Sequence, residues 1–321
     1  MRRRLRRAAT DPVTLGLVAG FVADGVLGDP QRHHPVAGFG HLATALQQPL
    51  YRDNRIAGVG YTALLVGGTV LAAHGADRTL RRLGPAATIL GVAAGTWAVL
   101  GGRSLTREAT AVHDLVAVDD LPGARQRVRS LVGRDPSSLK ADELGRACVE
   151  SVAENTSDAV TAPLLWGAVA GLPGLLGYRA VNTLDAMVGH RTSRWRRFGW
   201  AAARLDDLAN LVPARVATVL TAALSGRPRE VLRVVRRDAP AHPSPNAGPI
   251  EAAFAETLEV RLGGSNVYAG TSEDRGTLGD GRPVRIDDVP AAVRLSARLS
   301  WATLAVAVAT RTVWHLVRPG R

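Results

Sequence analysis

Long apolar stretches alternate with hydrophilic ones along this 321-residue chain. Strong apolar stretches cover residues 56–76, 83–101, 159–181 and 299–317, and weaker ones cover 13–28 and 208–224. Each strong stretch approaches the roughly 20 apolar residues that a bilayer core requires. The pattern predicts an all-α fold, a polytopic integral membrane helical bundle with about four to six membrane segments and helical hydrophilic loops. A soluble bundle of buried helices is the alternative.

The hydrophilic stretches between these segments are large enough to fold. We treat residues 1–321 as a single integral membrane domain with a hydrophilic helical insertion at 102–158 and a hydrophilic loop region at 225–298. The insertion is predicted to hold two helices, the second over residues 141–155. The loop region is predicted to contain a helix around 248–262, followed by a Gly-rich loop or a short hairpin.

The sequence GLPG at 171–174 interrupts the third strong apolar stretch. Glycine and proline break a continuous helix, so this stretch is either a kinked span or a re-entrant hairpin. If every stretch were a full span, Glu154 and Asp185 would face opposite sides of the membrane. We therefore expect a hairpin here, or a weak segment that fails to span, so that the polar motifs meet in one cytoplasmic-facing cleft.

Charge and cysteine content exclude several classes of protein. The chain has 40 Lys+Arg against 28 Asp+Glu, but its arginines are scattered and only 4% of its residues are aromatic. This argues against a nucleic-acid partner, which needs a basic face or stacking platforms. The single cysteine, Cys148, excludes a disulfide framework and a cysteine-based zinc site. The basic residues from Arg2 to Arg7 are expected to anchor the N-terminus at the cytoplasmic face.

Phosphate chemistry in this chain cannot use a phosphate-binding loop that ends in Gly-Lys-Ser/Thr. The only lysine, Lys140, follows DPSSL, which does not fit that motif. The remaining means are carboxylates that hold Mg²⁺ and arginines that bind phosphate oxygens.

One group of acids lies at the edge of an apolar segment. Glu150, Glu154 and Asp158 are spaced by four residues, with Asn155 beside them. On a helix they share one face and repel one another, so something positive is expected to compensate them. A solvated helix face is one interpretation. A site for a cation or a cationic substrate is the interpretation we prefer.

Two further polar clusters follow along the chain. The first comprises Arg179, Asn182 and Asp185, and the second comprises Arg204, Asp206, Asp207 and Asn210. Polar groups at the rim of a membrane segment usually face a cavity or a partner. Structural hydrogen bonds and ion pairs within each cluster are the alternative, and spacing alone does not decide between them.

A proline-defined loop, HPSPNAG at 242–248, precedes a helix that contains Glu251. A stiff loop at a helix N-terminus presents free backbone N–H groups and suits an anion. An ordinary loop with a capping asparagine, Asn246, is an equally good interpretation.

Taken in order, six motifs of the chain resemble those of the CobD/CbiB cobalamin-biosynthesis proteins, the adenosylcobinamide-phosphate synthases. The motifs are GDPQRHHPV, VESVAENTSDAVTAPLL, YRAVNTLDAMVGH, FGWAAARLDDLANLVPAR, HPSPNAGPIEAA and LGGSNVYAG. The resemblance implies an integral membrane enzyme, a ligase that forms a carbon-nitrogen (amide) bond. Its reaction joins adenosylcobyric acid to aminopropanol phosphate or ethanolamine phosphate, driven by ATP.

The resemblance also carries expectations for individual residues. Those expected to be catalytic are Glu150, Glu154, Asp158, Asp185 and Asp207. Those expected to bind substrate or phosphate are His34, Asn155, Arg179, Asn182, Arg204, Asn210, Arg215, His242, Ser244, Asn246, Glu251, Arg261 and Asn266. Glu154, Asp158 and Asp206 are the candidates for Mg²⁺.

The implied cofactors are ATP and Mg²⁺, with no flavin, haem or zinc expected. The expected partners are the two substrates, membrane lipid and other cobalamin-pathway enzymes, with no nucleic acid. The implied location is the plasma membrane, with several spans and the active site on the cytoplasmic side. A membrane transporter, or a non-catalytic membrane regulator on the same scaffold, is the alternative function.

Overall fold

The computed structural model describes residues 10–29, 34–133, 135–190, 192–268 and 271–317, and these are predominantly helical. The helices are α1 Pro12–Leu27, α2 Pro35–Leu50, α3 Arg55–Leu83, α4 Pro85–Val99, α5 Gly102–Ala117, α6 Leu121–Val128, α7 Ala141–Thr156, α8 Ala162–Val188, α9 Trp195–Phe198, α10 Trp200–Leu224, α11 Pro228–Asp238, α12 Ala247–Leu258 and α13 Val289–Val317. A π-helical turn, Ser157–Thr161, lies between α7 and α8. Short 3-10 turns cover Ala239–Ala241 and Ile286–Asp288.

Within the described ranges, five helical segments are long and apolar enough to cross a membrane. They are Arg55–Leu83, Pro85–Ala117, Ala141–Val188, Trp200–Leu224 and Ile286–Val317. The predicted helical membrane bundle is thus confirmed. The stretch at 208–224, which is weak in the sequence, lies in one of these five segments, whereas the stretch at 13–28 forms the shorter helix α1.

The predicted content of the hydrophilic insertion was incomplete. It contains three helices, because α5 precedes the two that were predicted. One face of α5 packs Leu105, Ala109 and Val112 into a core, and the rest of the helix is polar. Such an amphipathic helix lacks the continuous apolar run on which the sequence prediction relied.

The chain divides into two compact units. The first unit consists of Met1–Gly101, Ala162–Asn210 and Leu304–Arg321, and the second consists of Gly102–Thr161 and Leu211–Thr303. The expected insertions at 102–158 and 225–298 both fall within the second unit.

Close helix packing in the first unit depends on glycines of α1 facing α4. A Cβ atom added at Gly16 would lie 2.6 Å from Cβ of Val92, and one at Gly20 would meet Thr96. Without side chains at these positions, the two backbones approach closely, as is common between membrane helices. By contrast, Gly67 and Gly68 of α3 have open space beside them, so their small size does not serve packing within this chain.

Helix α8 reverses direction at Gly171, which has φ 63° and ψ −144° inside an otherwise helical segment. A Cβ atom added at Gly167 would lie 2.9 Å from Cγ of Leu175, and one at Gly174 would meet the carbonyl oxygen of Trp166. Residues eight apart would lie about 12 Å apart along a straight helix. The hairpin predicted from GLPG is therefore confirmed, with its turn at Gly171.

A buried ion pair joins the start and the end of the first unit. Oδ2 of Asp11 accepts hydrogen bonds from Nη2 of Arg311 at 2.8 Å and from Nε at 3.0 Å. His315 contributes Nε2 at 3.2 Å from Oδ1 of Asp11. Arg311 also reaches the carbonyl oxygen of Ala168 at 3.4 Å, close to the turn of the α8 hairpin.

The second unit has a core formed by α5, α6, α7, α12, the strands and the first half of α13. Strand β1, Val260–Tyr268, pairs antiparallel with β2, Thr271–Leu278, and parallel with the two-residue β3, Arg282–Pro283. The hairpin formed by β1 and β2 confirms one of the two predictions for the Gly-rich stretch. The irregular pairing between Gly263 and Ser265 interrupts its ladder.

Large apolar side chains remain exposed on the membrane-length helices. On α3, for example, Ile56 is 85% and Leu71 is 73% exposed, and Leu208 of α10 is 68% exposed. Soluble monomers rarely show such extended apolar surfaces. These faces suit contact with lipid hydrocarbon.

Candidate active site

Polar motif residues gather in two clusters, one in each unit. The acidic cluster of the second unit comprises Glu150, Glu154, His242, Glu251 and Arg275. The amide cluster of the first unit comprises Tyr178, Arg179, Asn182, Asp185, Asp206 and Asn210.

Three elements and the HPSPNAG loop, which carries His242, supply the acidic cluster. Helix α7 carries Glu150 and Glu154 one turn apart, as its sequence spacing predicts. Helix α12 carries Glu251, which is fully buried among small apolar neighbours such as Ala252 and Ala253. Strand β2 brings in Arg275, more than one hundred positions from Glu154 in the sequence. The three elements share one core, which fixes these charged groups near one another.

His242, Glu251 and Arg275 form a row. Nε2 of His242 and Nη1 of Arg275 each lie 3.6 Å from Oε1 of Glu251. Nδ1 of His242 lies 3.0 Å from the backbone nitrogen of Ser244 and 3.2 Å from its carbonyl oxygen, so the backbone of Ser244 holds the ring and Nε2 faces the carboxylate. Burial, reinforced by the charge of Arg275, lowers the pKa of His242 to about 4.

Two arginines compensate the acids of α7: Arg146 pairs with Glu150, and Arg275 acts on Glu154. The charge of Arg275 acts favourably on the Glu154 carboxylate, whereas Glu150 acts on it as a like charge. Burial weakens screening by water, which makes both interactions stronger than they would be at the surface. Glu154 therefore lies between a repulsive acid on its own helix and an attractive arginine on β2.

Glu150 holds the β1 strand in place. Its Oε1 accepts a hydrogen bond from the backbone N–H of Gly263 at 3.0 Å and another from Nη1 of Arg146 at 3.3 Å. The same Nη1 donates to the carbonyl oxygen of Gly263. This arrangement satisfies both backbone polar groups of Gly263. Glu150 therefore has a structural role in addition to its predicted catalytic role.

Glu150 and Glu154 lie on α7, whereas Asp158 lies just beyond its end. It is the second residue of the π-helical turn Ser157–Thr161. The predicted α-helix therefore holds for the two glutamates and changes to a π-helical turn at Asp158. Asn155 donates from Nδ2 to the carbonyl oxygen of Ser151 at 2.9 Å and to its hydroxyl at 3.0 Å.

The HPSPNAG loop is held by its own side chains. The hydroxyl of Ser244 accepts hydrogen bonds from the N–H groups of Asn246 at 3.3 Å and Ala247 at 3.1 Å. Asn246 makes no capping hydrogen bond with its side chain and instead accepts from Nη1 of Arg215 at 2.6 Å. The loop is therefore capped by Ser244, contrary to the expected capping by Asn246, and two N–H groups expected to face an anion are bonded within it.

Arg261 borders a cavity of about 270 Å³ in the second unit, together with Arg146, Gly263 and Thr277. Arg261 is exposed on β1. Asn266 lies on the same strand, but its side chain is outside the described residues.

The amide cluster centres on Asp206. Its Oδ1 accepts a hydrogen bond from Nδ2 of Asn182 at 3.4 Å, and its Oδ2 accepts from Nδ2 of Asn210 at 3.0 Å. The hydroxyl of Tyr178 donates to Oδ1 of Asn210 at 2.8 Å, which fixes the orientation of that amide. Asp185 acts on Asp206 as a like charge.

Arg179 links the amide cluster to the GDPQRHHPV motif. Its Nη1 donates to Oδ1 of Asn182 at 3.4 Å. Burial lowers the pKa of His34, the charge of Arg179 lowers it further, and Asp29 acts in the opposite direction. His34 also caps α2, because its Nδ1 accepts from the N–H of Val36 at 3.1 Å. Residues 30–33 of this motif, like the N-terminal arginines up to Arg7, lie outside the described residues.

Arg204 and Asp207 stand apart from the amide cluster. They form an ion pair at 2.9 Å in which the arginine side chain is 58% exposed. An exposed pair of this kind contributes little to stability. The adjacent acids Asp206 and Asp207 therefore differ in environment, a distinction that spacing alone did not provide.

The expected Mg²⁺ ligands are divided between the units. Glu154 and Asp158 belong to the second unit and Asp206 to the first. Across the part of the chain that the structure describes, no three His, Cys, Asp or Glu side chains are grouped so that they could hold a metal ion.

Sequence reasoning did not select Arg275, Arg146 or Tyr178. Tyr178 directly precedes Arg179 in the motif YRAVNTLDAMVGH, so its position in that motif could have identified it. Arg146 lies four residues before Glu150 on α7, a spacing that favours an ion pair. Arg275 carries no such signal, because only the pairing of β1 with β2 brings it to the acids.

Five membrane-length helices and two polar clusters built from distant motifs define a multi-pass membrane protein with candidate ligand sites. The family model described as CobD/Cbib protein matches residues 17–296. The chain belongs to this family.

Curated relatives cover most of this chain. The cobalamin biosynthesis protein CobD of Mycobacterium tuberculosis (strain CDC 1551 / Oshkosh) is 50% identical over 286 residues, covering 88% of this chain and 90% of the relative. The CobD proteins of Rhodobacter capsulatus and Geobacter metallireducens are 45% and 44% identical, covering 78% and 82% of this chain and 81% and 86% of the relatives. No solved structure matches the chain.

Proposed function

We propose that this protein acts in cobalamin biosynthesis as an adenosylcobinamide-phosphate synthase. It would join the free carboxylate of adenosylcobyric acid to the amine of aminopropanol phosphate or ethanolamine phosphate, with ATP as the energy source. The names of its relatives support the pathway, and the six sequence motifs support the reaction.

The observation that carries the proposal is the convergence of those motifs. Arg179 acts on His34 and hydrogen-bonds Asn182, and Asn182 hydrogen-bonds Asp206, which joins three motifs in the first unit. Glu154 and Glu251 come from two further motifs and meet through Arg275 in the second unit. Buried charged groups are rarely maintained at such density unless they are paired or functional.

The reaction needs charge stabilisation and a proton acceptor. The corrinoid carboxylate attacks the γ-phosphorus of ATP, which forms an acyl phosphate and releases ADP. The amine then attacks the acyl carbon, the nitrogen loses a proton, and inorganic phosphate leaves with the electron pair of the broken C–O bond. Arginines stabilise the transferred phosphoryl charge and a carboxylate accepts the proton.

Mg²⁺ fits the amide cluster only together with a nucleotide. A carboxylate oxygen is a suitable donor, and Mg²⁺ commonly uses one or two carboxylates plus substrate phosphates. Asp206 is the candidate ligand in this cluster. When bound, the ion would neutralise phosphate charge.

The decisive experiment uses the purified full-length protein in detergent. Given adenosylcobyric acid, aminopropanol phosphate, ATP and Mg²⁺, it should form the amide and ADP in equal amounts, and Glu154→Gln should be strongly impaired. A parallel assay with ethanolamine phosphate identifies the preferred amine. A folded protein that forms no amide with either amine would refute the proposal.

The location is also part of the proposal, with the active site open to the cytoplasm of a plasma-membrane protein. Cys148 is buried and is the only cysteine in the chain, so single cysteines can be added at positions 155 and 186 for labelling. In right-side-out spheroplasts, a membrane-impermeant maleimide should label neither position, whereas in inverted vesicles it should label both. Labelling of either position from outside would contradict the cytoplasmic site.

A further inference from the structure

We infer that the acidic cluster of the second unit is the subsite for the amino-alcohol phosphate, with Arg275 binding its phosphate and Glu154 binding its ammonium group. This inference rests on the proposed function and assigns one substrate of that reaction to particular residues.

The charges of the cluster match a zwitterion better than a simple anion. Glu154 is flanked by Arg275 and by a second acid, Glu150, so carboxylates and an arginine share one buried region. A nucleotide triphosphate would bring several negative charges towards these acids. An amino-alcohol phosphate carries one ammonium group and one phosphate a few bonds apart, and it can pair with both kinds of side chain at once.

Arg275 is the member of the row His242, Glu251 and Arg275 that solvent reaches. The side chains of His242 and Glu251 are fully buried, whereas that of Arg275 keeps 16% of its surface exposed. Of the three side chains, Arg275 is therefore the one closest to an entering ligand. A guanidinium carries five N–H donors in a planar fork, more than one carboxylate oxygen can accept, so Arg275 can bind a phosphate while Glu251 still holds it.

Within this row, Glu251 and His242 are positioning residues. Glu251 anchors the arginine through Oε1, and the backbone of Ser244 fixes the His242 ring so that Nε2 faces the same oxygen. Neutral His242 adds no second positive charge that would compete with Arg275 for the carboxylate. The phosphate-binding side chain is thus held by two groups that are themselves locked in the core.

Proton transfer follows from the same arrangement. An ammonium group bound at Glu154 gives one proton to the carboxylate, and its freed electron pair attacks the acyl phosphate carbon. The C–N bond forms, the nitrogen gives its second proton to the departing phosphate oxygen, and phosphate leaves with the electrons of the C–O bond. Glu154 is then the catalytic residue that accepts a proton from the amine. Arg275 is the residue that selects an amine bearing a phosphate.

The test compares aminopropanol phosphate with unphosphorylated aminopropanol as the amine in the full-length enzyme. Arg275→Gln should raise KM for aminopropanol phosphate by about 10- to 150-fold, the loss expected for a charge-assisted hydrogen bond. The KM values of this variant for ATP and for adenosylcobyric acid should stay within about threefold of the wild-type values, a change well below the expected loss for the amine. The preference for the phosphorylated amine should fall in parallel, and Arg275→Lys should restore part of it.

A double variant separates phosphate binding by Arg275 from a purely structural role of this residue. Arg275→Gln leaves the buried Glu251 carboxylate without this partner and can lower stability, whereas Arg275→Gln with Glu251→Gln removes both charges. The double variant should fold and still lack the preference for the phosphorylated amine. Recovery of that preference in the double variant would overturn the inference. Arg227→Gln, which removes an exposed arginine paired with Glu259, is the matched control.

A binding measurement separates this inference from the proposed reaction. Aminopropanol phosphate alone, without ATP, should raise the melting temperature of the wild-type protein but not that of Arg275→Gln. An Arg275→Gln effect on KM for ATP instead of the amine would assign the arginine to the nucleotide and overturn the inference, although amide formation by the wild type would still support the function. Failure of the wild type to form amide would refute the function itself.

Discussion

The carboxylate of Glu150 accepts a hydrogen bond from the backbone N–H of Gly263, 3.0 Å away and 113 residues further along the chain. This bond attaches the β1–β2 hairpin to helix α7 and so fixes the strand pair that carries Arg275. A residue expected to be catalytic is thereby shown to have a structural role as well.

Glu150→Ala should lower the free energy of unfolding by about 1–3 kcal/mol, because the buried N–H of Gly263 loses its acceptor. Glu150→Gln should have a smaller effect, since its amide oxygen can still accept the bond. Thermal unfolding of the detergent-solubilised protein, followed by tryptophan fluorescence, measures both. The control is Asp114→Ala on α5, an exposed acid of the same unit. An unchanged melting temperature for Glu150→Ala would show that the bond does not contribute to stability.

Gly171→Ala should destabilise the α8 hairpin by about 1–3 kcal/mol, because a side chain is strained at its φ and ψ. Gly174→Val should have a larger effect, since its Cβ would meet the carbonyl oxygen of Trp166. The matched control is Gly68→Ala on α3, where open space is available and alanine is expected to add about 0.5–1 kcal/mol. Folded yield and melting temperature provide the readout. Equal yields for the three variants would contradict the reversal at Gly171.

Stability should fall as the pH drops from about 6.5 towards 4, because unfolded His242 takes up a proton in this range while folded His242 does not. The sign follows from its folded pKa of about 4, which lies below the value of 6.5 for a free imidazole. The contribution is present above pH 6.5 and is on the order of 3 kcal/mol when fully lost. His242→Asn should flatten the melting-temperature curve over this interval. A wild-type curve that runs parallel to that of the variant would exclude the effect.

Asp206→Asn should reduce the rate of amide formation by at least about 100-fold if the amide cluster contributes to the active site, as loss of a catalytic carboxylate typically does. Asp207→Asn should reduce it by less than about tenfold, because this half-buried acid pairs with the exposed Arg204 in an ion pair that contributes little. The comparison uses adjacent residues of one helix and therefore the same local backbone. Circular dichroism and melting temperature show whether each variant is folded. A larger fall for Asp207→Asn would reverse the assignment.

Apolar runs predicted most of the membrane-length helices, and turn residues predicted each hairpin as one of two interpretations. The runs at 56–76 and 299–317 lie inside α3 and α13, and GLPG marked the turn at Gly171. Local patterns failed where the fold acts over a distance. Nothing near Arg275 in the sequence shows that β1 pairing will bring it to Glu154, and nothing in the four-residue spacing of Asp158 shows that it lies in a π-helical turn.

The individual roles of the candidate residues are a separate matter from their locations. Spacing alone does not distinguish Asp206 from Asp207, because both can pair with Arg204 or Asn210. Packing distinguishes them, since Asp206 accepts hydrogen bonds from two buried or half-buried amides and Asp207 remains near the surface. Such differences depend on neighbouring helices, which a single-segment pattern does not contain.

The Asp11–Arg311 ion pair sets the order in which the protein can be made. The first unit needs Leu304–Arg321 to be complete, so it cannot close while the ribosome is still synthesising the second unit. The ion pair between Asp11 and Arg311 can form only after nearly the whole chain has been translated. Contacts between residues so distant in sequence also form slowly. Nascent chains truncated before Arg311 should accordingly be targets for membrane quality-control proteases, however well their second unit has folded.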